Sequence, residues 1–169
     1  QVTNTGNVLP GAANKVYFCA QVTPPANTTP TDSRDVVFTI NSPATGLTDS
    51  IKDHVTISEV RKITITPDRQ GQVAPGGSVL YTHTLTNTGN VTEGVTGTST
   101  LPFTITHNGS LTGAVTSVYV DLNNNGIADS TELVTGTDLT PYLVSTPGGA
   151  GLQPGEAVTI LVKVEAPAN

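Results

Sequence analysis

Apolar and polar residues alternate along AVTILVKVEA (157–166). Val158, Ile160, Val162 and Val164 fall on one side of an extended chain, with Thr159, Leu161, Lys163 and Glu165 on the other. The same period of two runs through VTISEVRKITITP (55–67), SVLYTHTLTNT (78–88), FTITHN (103–108) and VTSVYVD (115–121). KVYFCAQV (15–22) and DVVFTIN (35–41) add two strand-like runs near the start. Pro-Gly or Gly-Asn pairs (Pro10-Gly11, Pro75-Gly76, Gly89-Asn90, Pro154-Gly155) flank these runs, where tight turns need pre-set or permissive backbone angles. No stretch carries the 3.6-residue period of a helix. The pattern predicts an all-β, antiparallel β-sandwich fold.

Two segments echo each other. VLPGAANKVYFCAQVTPPAN (8–27) and GLQPGEAVTILVKVEAPAN (151–169) each run from a Pro-Gly turn through one strand to a Pro-Ala-Asn ending. The endings at Asn27 and Asn169 lie 142 residues apart. A second echo, TNTGNV at 3–8 and again at 86–91, has an offset of 83 that conflicts with the first. The longer period is preferred because it aligns a whole strand with its turns, whereas TNTGN is a turn-like string. On that period residues 1–60 hold the closing strands of a first sandwich, one partial repeat. Residues 61–169 form a second, nearly complete one. The joint at Val60–Arg61 carries no Gly- or Ser-rich linker, which predicts a stiff connection. The chain then reads as a window on a longer array. The rival reading has neighbouring copies of the same protein completing each sandwich by strand exchange.

Composition narrows the classes. Of 169 residues, 36% are hydrophobic and 4% aromatic, with no Trp or Met, and threonine is the commonest residue. That mixture suits short β-strands joined by turns. The net charge of −6, with only seven scattered Lys and Arg, argues against nucleic acid as a partner. No apolar run approaches the ~20 residues of a membrane span. The N-terminal QVTNTGNVLPG carries neither a basic nor an apolar leader segment. Cys19 is the single cysteine, so an internal disulfide is impossible, and its strand-like surroundings predict a small buried side chain.

One string names a chemistry. DLNNNGIADSTE (121–132) matches the calcium-loop pattern D-x-[DN]-x-[DN]-G-x5-E at every specified position. Asp121, Asn123 and Asn125 supply side-chain oxygens at loop positions 1, 3 and 5. Gly126 makes the turn at position 6. Ile127 offers its carbonyl, Asp129 stands at the often water-mediated position 9, and Glu132 is the bidentate carboxylate at 12. The predicted cofactor is Ca2+, in a structural role and with a Kd on the order of 10⁻⁴–10⁻³ M or somewhat tighter, as in extracellular modules.

The stretch ITPDRQGQVAPGGSVLYTHTLTNTGNV, then VYVDLNNNGIADSTE and LQPGEAVTILVKVEAPAN, resembles the conserved Ig-like repeat of large bacterial surface and surface-layer-associated proteins. Residues 22–60 resemble the final two strands of that repeat. The D-x-N-x-N-G-x-x-D-x-x-E string is also similar to calcium loops in the B domains of serine-aspartate repeat adhesins. It is similar too to those of dockerins, where a helix rather than a strand adjoins the loop. The resemblance implies an extracellular Ig-like β-sandwich module at a bacterial cell surface, structural or adhesive and not an enzyme.

Other chemistry has weaker support. His54, His83 and His107 are scattered, no zinc-type cluster exists, and no nucleophile elbow accompanies any serine. Two readings remain. The first is a calcium-stiffened building block of a surface layer, stalk or fibre, packing against other copies or neighbouring repeats. The second is an adhesive module that binds a glycan or protein, which the scarcity of aromatic side chains disfavours for sugars.

Overall fold

The computed structural model describes residues 5–11, 13–25, 28–144, 146 and 149–168. The chain is all-β, and the described residues form six strands in two antiparallel sheets and one 3₁₀ turn at Thr140–Tyr142. Strands β1 (Ser33–Ser42) and β2 (Leu47–Thr56) form a hairpin. Strands β3 (Ile63–Thr66), β4 (Ser78–Asn87), β5 (Val115–Asp121) and β6 (Ala157–Glu165) form a second sheet in the order β3-β4-β6-β5. Two sheets of two and four strands are consistent with a β-sandwich.

Alternation decides the faces of the larger sheet. Leu85, Val158, Ile160, Val118 and Val120 come together on one face because register partners share a face: Leu85 opposes Val158, and Val120 opposes Ile160. Leu101, Val134, Leu139, Leu143 and Leu152, all from the connections, cover this end of the face and complete the core. Leu143, Leu152 and Leu161 are completely buried. Thr140 ties this cover to the core region, its hydroxyl accepting the Leu101 N–H at 2.9 Å.

Three sequence expectations change. FTITHN (103–108) is not a strand, although Phe103 packs against the core. KVYFCAQV (15–22) enters no sheet ladder, and Cys19 on it is exposed rather than buried. β2 carries a strand that the alternation from 55 onward foreshadows only at its end. Asp49 and Asp53 interrupt its apolar positions, yet backbone pairing with β1 is continuous from Ser33↔Thr56 to Ser42↔Leu47. Ladder hydrogen bonds are indifferent to side-chain polarity, so an exposed strand leaves little trace in hydropathy.

The TNTGN string proves to be a structural knot. Asn87 is fully buried, its amide donates to the carbonyls of Val91 (2.7 Å) and Leu152 (2.8 Å), and its oxygen accepts the Gly89 N–H (2.9 Å). Asn90 reaches the other way, to residues 58–60. Gly89 lies so close to that segment that a Cβ there would sit 2.3 Å from the Val60 carbonyl oxygen. Arg61 adds hydrogen bonds to Glu59 (2.6 Å) and to the buried Glu93 (3.2 Å).

Candidate metal centre

β5 ends at Asp121, and the chain then turns out into the 121–132 loop. It comes back along the same strand: the Val120 N–H donates to the Glu132 carbonyl at 3.0 Å, Tyr119 bridges Leu133, and the Val134 N–H donates to Val118 at 2.8 Å. The two ends of the twelve-residue loop are therefore held side by side against a rigid strand. Asn124 (φ 57°) and Gly126 (φ 72°) adopt left-handed conformations that bend the chain around its own side chains.

Within the loop, oxygens converge through local hydrogen bonds. The two carboxylate oxygens of Asp121 accept the N–H groups of Asn125 (3.1 Å) and Gly126 (2.9 Å). Asn123 and Asn125 accept the N–H groups of Asn125 (2.9 Å) and Ile127 (2.8 Å). The Asn125 amide donates to Asp129 at 3.0 Å, and the Asn123 amide does so at 3.5 Å. The Ile127 carbonyl accepts the Asp129 N–H at 3.0 Å, while the Ile127 side chain is exposed. Thr159 on β6 anchors the loop from outside by donating to Asn124 at 3.1 Å.

The two ends of the motif are buried. Asp121 is 2% exposed and Glu132 is 8% exposed. Glu132 Oε2 is buried with no hydrogen-bond partner. A carboxylate oxygen so placed is costly unless a cation or donor meets it. The donor set is all oxygen (carboxylates, amides, one carbonyl), suiting a hard cation of six to eight ligands better than a soft or strictly octahedral one. Among the described residues no three His, Cys, Asp or Glu side chains gather at metal-binding range. The three carboxylates of the motif, Asp121, Asp129 and Glu132, are thus not drawn together on one point, and the loop would have to close around an ion.

The structure thus joins Asp121, Asn123, Asn125 and Asp129 in one hydrogen-bonded turn and buries Glu132 where the loop rejoins β5. The residues that sequence reasoning passed over are Asn124 and Thr159, which fix the loop to β6, and Val118–Val120, whose backbone closes it.

The histidines lie apart from this loop. His54 Nδ1 meets Asp35 at 2.6 Å on the exposed hairpin, where Lys52 also bonds Asp35 at 3.1 Å. The imidazole first, then the ammonium, hold the Asp35 carboxyl below the usual carboxylate range. His83 Nδ1 contacts the Pro67 carbonyl at 2.8 Å. Comparison with protein-family models, with curated proteins and with solved structures finds no match to this chain.

Proposed function

We propose that the chain is a non-catalytic, calcium-ordered structural module of the Ig-like kind, built to stand at a bacterial cell surface and pack against other copies of itself. The observation that carries the metal is the unpartnered buried Glu132 Oε2 at the closing position of a twelve-residue oxygen-rich loop. Ca2+ would be held by Asp121, Asn123, Asn125, the Ile127 carbonyl, Asp129 and Glu132. It would offset the repulsion among three carboxylates and stiffen a loop that has little core of its own. The site has strands and no helix pair around it, so the ion's effect is order rather than switching.

One feature supports a mechanical role for the rest of the chain. The joint at 58–62 is cross-linked to 88–93 by side-chain and backbone hydrogen bonds.

Scanning calorimetry with added calcium or EDTA tests the metal. Calcium should raise the melting temperature, and Asp121→Ala or Glu132→Ala should abolish that rise. An identical melting curve in calcium and in EDTA overturns the assignment.

A further inference from the structure

The chain contains the Asn-Gly peptides Asn108-Gly109 and Asn125-Gly126. Such a pair is a labile setting for an asparagine, because glycine has no Cβ to shield its backbone nitrogen. That nitrogen can attack Cγ of the asparagine side chain. A C–N bond then closes a succinimide ring, and the amide nitrogen leaves as ammonia, carrying the glycine proton. Water opens the ring at either carbonyl. Attack at the side-chain carbonyl gives aspartate, and attack at the main-chain carbonyl gives isoaspartate, whose main chain runs through Cβ and Cγ. Water is taken up and ammonia released in equal measure, with no oxidant or reductant.

The peptides stand in opposite settings. Asn125 and Gly126 are exposed, so water reaches both, yet each reacting group is tied. The Gly126 N–H donates to Asp121 Oδ2 at 2.9 Å. Asn125 Oδ1 accepts the Ile127 N–H at 2.8 Å, and the departing Nδ2 donates to Asp129 at 3.0 Å. Attack at Cγ requires the glycine nitrogen to leave a carboxylate and the side chain to leave Ile127 and Asp129. The Asp121 carboxylate also opposes the negative charge that builds on the nitrogen as its proton departs. Among the described residues no hydrogen bond holds Asn108 or Gly109.

The lock is made by residues that would also hold the ion. Asp121, Asn125 and Asp129 are among the groups assigned to Ca2+, and a cation between them would pin side chains that otherwise open with the loop. The products unmake that site in different ways. Aspartate at 125 adds a further carboxylate beside Asp121, Asp129 and Glu132. Isoaspartate lengthens the main chain ahead of Gly126, which shifts the Ile127 carbonyl, Asp129 and Glu132 out of their spacing from Asp121.

Resting on the reading of this loop as a calcium site, we propose that Asn125 is a deamidation site guarded by the ion. While the loop is closed, the Asn125-Gly126 peptide is spared. Once calcium leaves, the loop opens and the ring closes. Isoaspartate then keeps the ion from returning, so loss of calcium is recorded in the covalent chain.

Peptide mapping of the whole chain tests this, after incubation in warm, mildly alkaline buffer with calcium, with EDTA, or in urea. Cleavage before Asp121 and Asp129 isolates the Asn125 peptide, and chromatography separates aspartate from isoaspartate. Releasing a hydrogen bond to a charged group slows a step by about ten- to a hundredfold. Asn125 should therefore convert at least about tenfold more slowly in calcium than in urea, with EDTA between them. Asn108 should convert at one rate in calcium and in EDTA, and so serves as the clock. Asp121→Ala, with folding checked by circular dichroism, should bring Asn125 toward its rate in urea. Equal rates at Asn125 in calcium and in urea would overturn the lock. Equal rates in calcium and in EDTA, beside a melting temperature that calcium raises, would overturn the guard and leave the metal assignment standing. If calcium changes neither the melting temperature nor the Asn125 rate, the metal reading fails and the guard with it.

Discussion

Asn90 Oδ1 accepts the Val60 N–H at 2.7 Å, and the Asn90 N–H donates back to the Val60 carbonyl at 2.9 Å. The Asn90 amide then reaches Ser58 at 3.0 Å. One asparagine, thirty positions downstream, thus imitates a short antiparallel strand and fixes the direction in which residues 58–60 enter the larger sheet. A side chain with both donor and acceptor is required, which is why Asp, an acceptor only, could supply just part of the lock.

Replacing Asn90 with Ala removes two side-chain hydrogen bonds, each contributing about 0.5–1.5 kcal/mol net. We expect a loss of about 1–2 kcal/mol by urea unfolding, with faster amide exchange confined to 58–62. Gly89→Ala should cost more, roughly 1–3 kcal/mol, because its Cβ meets backbone atoms that cannot rotate away.

Glu132→Met should reverse sign with calcium. In EDTA the substitution removes an unpaired buried acceptor, whose burial costs about 1–3 kcal/mol, and should leave stability equal or higher. In saturating calcium the wild type gains the binding free energy and the variant does not, so the variant should become the less stable. Denaturation curves of both proteins with and without the ion check it. Destabilisation of equal size under both conditions counts against a metal at this position.

Core and hairpin should respond differently to truncation. Leu143 is completely buried among Leu101, Leu139 and Leu152, so Leu143→Ala should cost about 2–5 kcal/mol. Ile40→Ala, on the exposed hairpin, should cost under about 0.5 kcal/mol in dilute solution. A larger effect that grows with protein concentration would mark Ile40 as part of an interface.

Acid should loosen the cover of the core. Asp138 accepts the Thr140 N–H at 2.9 Å, and the Thr140 hydroxyl followed by that N–H holds its carboxyl below the usual carboxylate range. A depressed folded-state pKa contributes stability above the unfolded pKa, and this is lost as pH falls through the folded value. The melting temperature should therefore drop as pH falls below about 4. Asp138→Asn should flatten that drop, which thermal scans of both proteins at stepped pH would reveal.

The all-β class and four of the six strands were legible in the residues. Alternation announced four strands: β4, β5 and β6 match their apolar runs almost to the residue, and β1, although exposed, nearly so. That Asp121 to Glu132 forms a tight oxygen-rich turn was legible because Asn, Asp and Gly side chains and backbones favour such local hydrogen bonds. β2 left little trace in the alternation because Asp49 and Asp53 interrupt its apolar positions, while backbone pairing with β1 holds it regardless of side-chain polarity. FTITHN misled for the converse reason: alternating residues at 103–108 meet no partner strand, so the alternation has no ladder to enter.

Local chemistry, then, determined which segments extend, where they turn and which oxygens crowd together. Tertiary structure alone decided that Asn87, Gly89 and Asn90 are a knot rather than an incidental turn, and that Glu132 Oε2 is buried without a partner. Those facts depend on residues tens of positions apart meeting in space. Hydropathy along the chain records burial of neighbours in sequence and carries no record of which distant backbone comes to meet them.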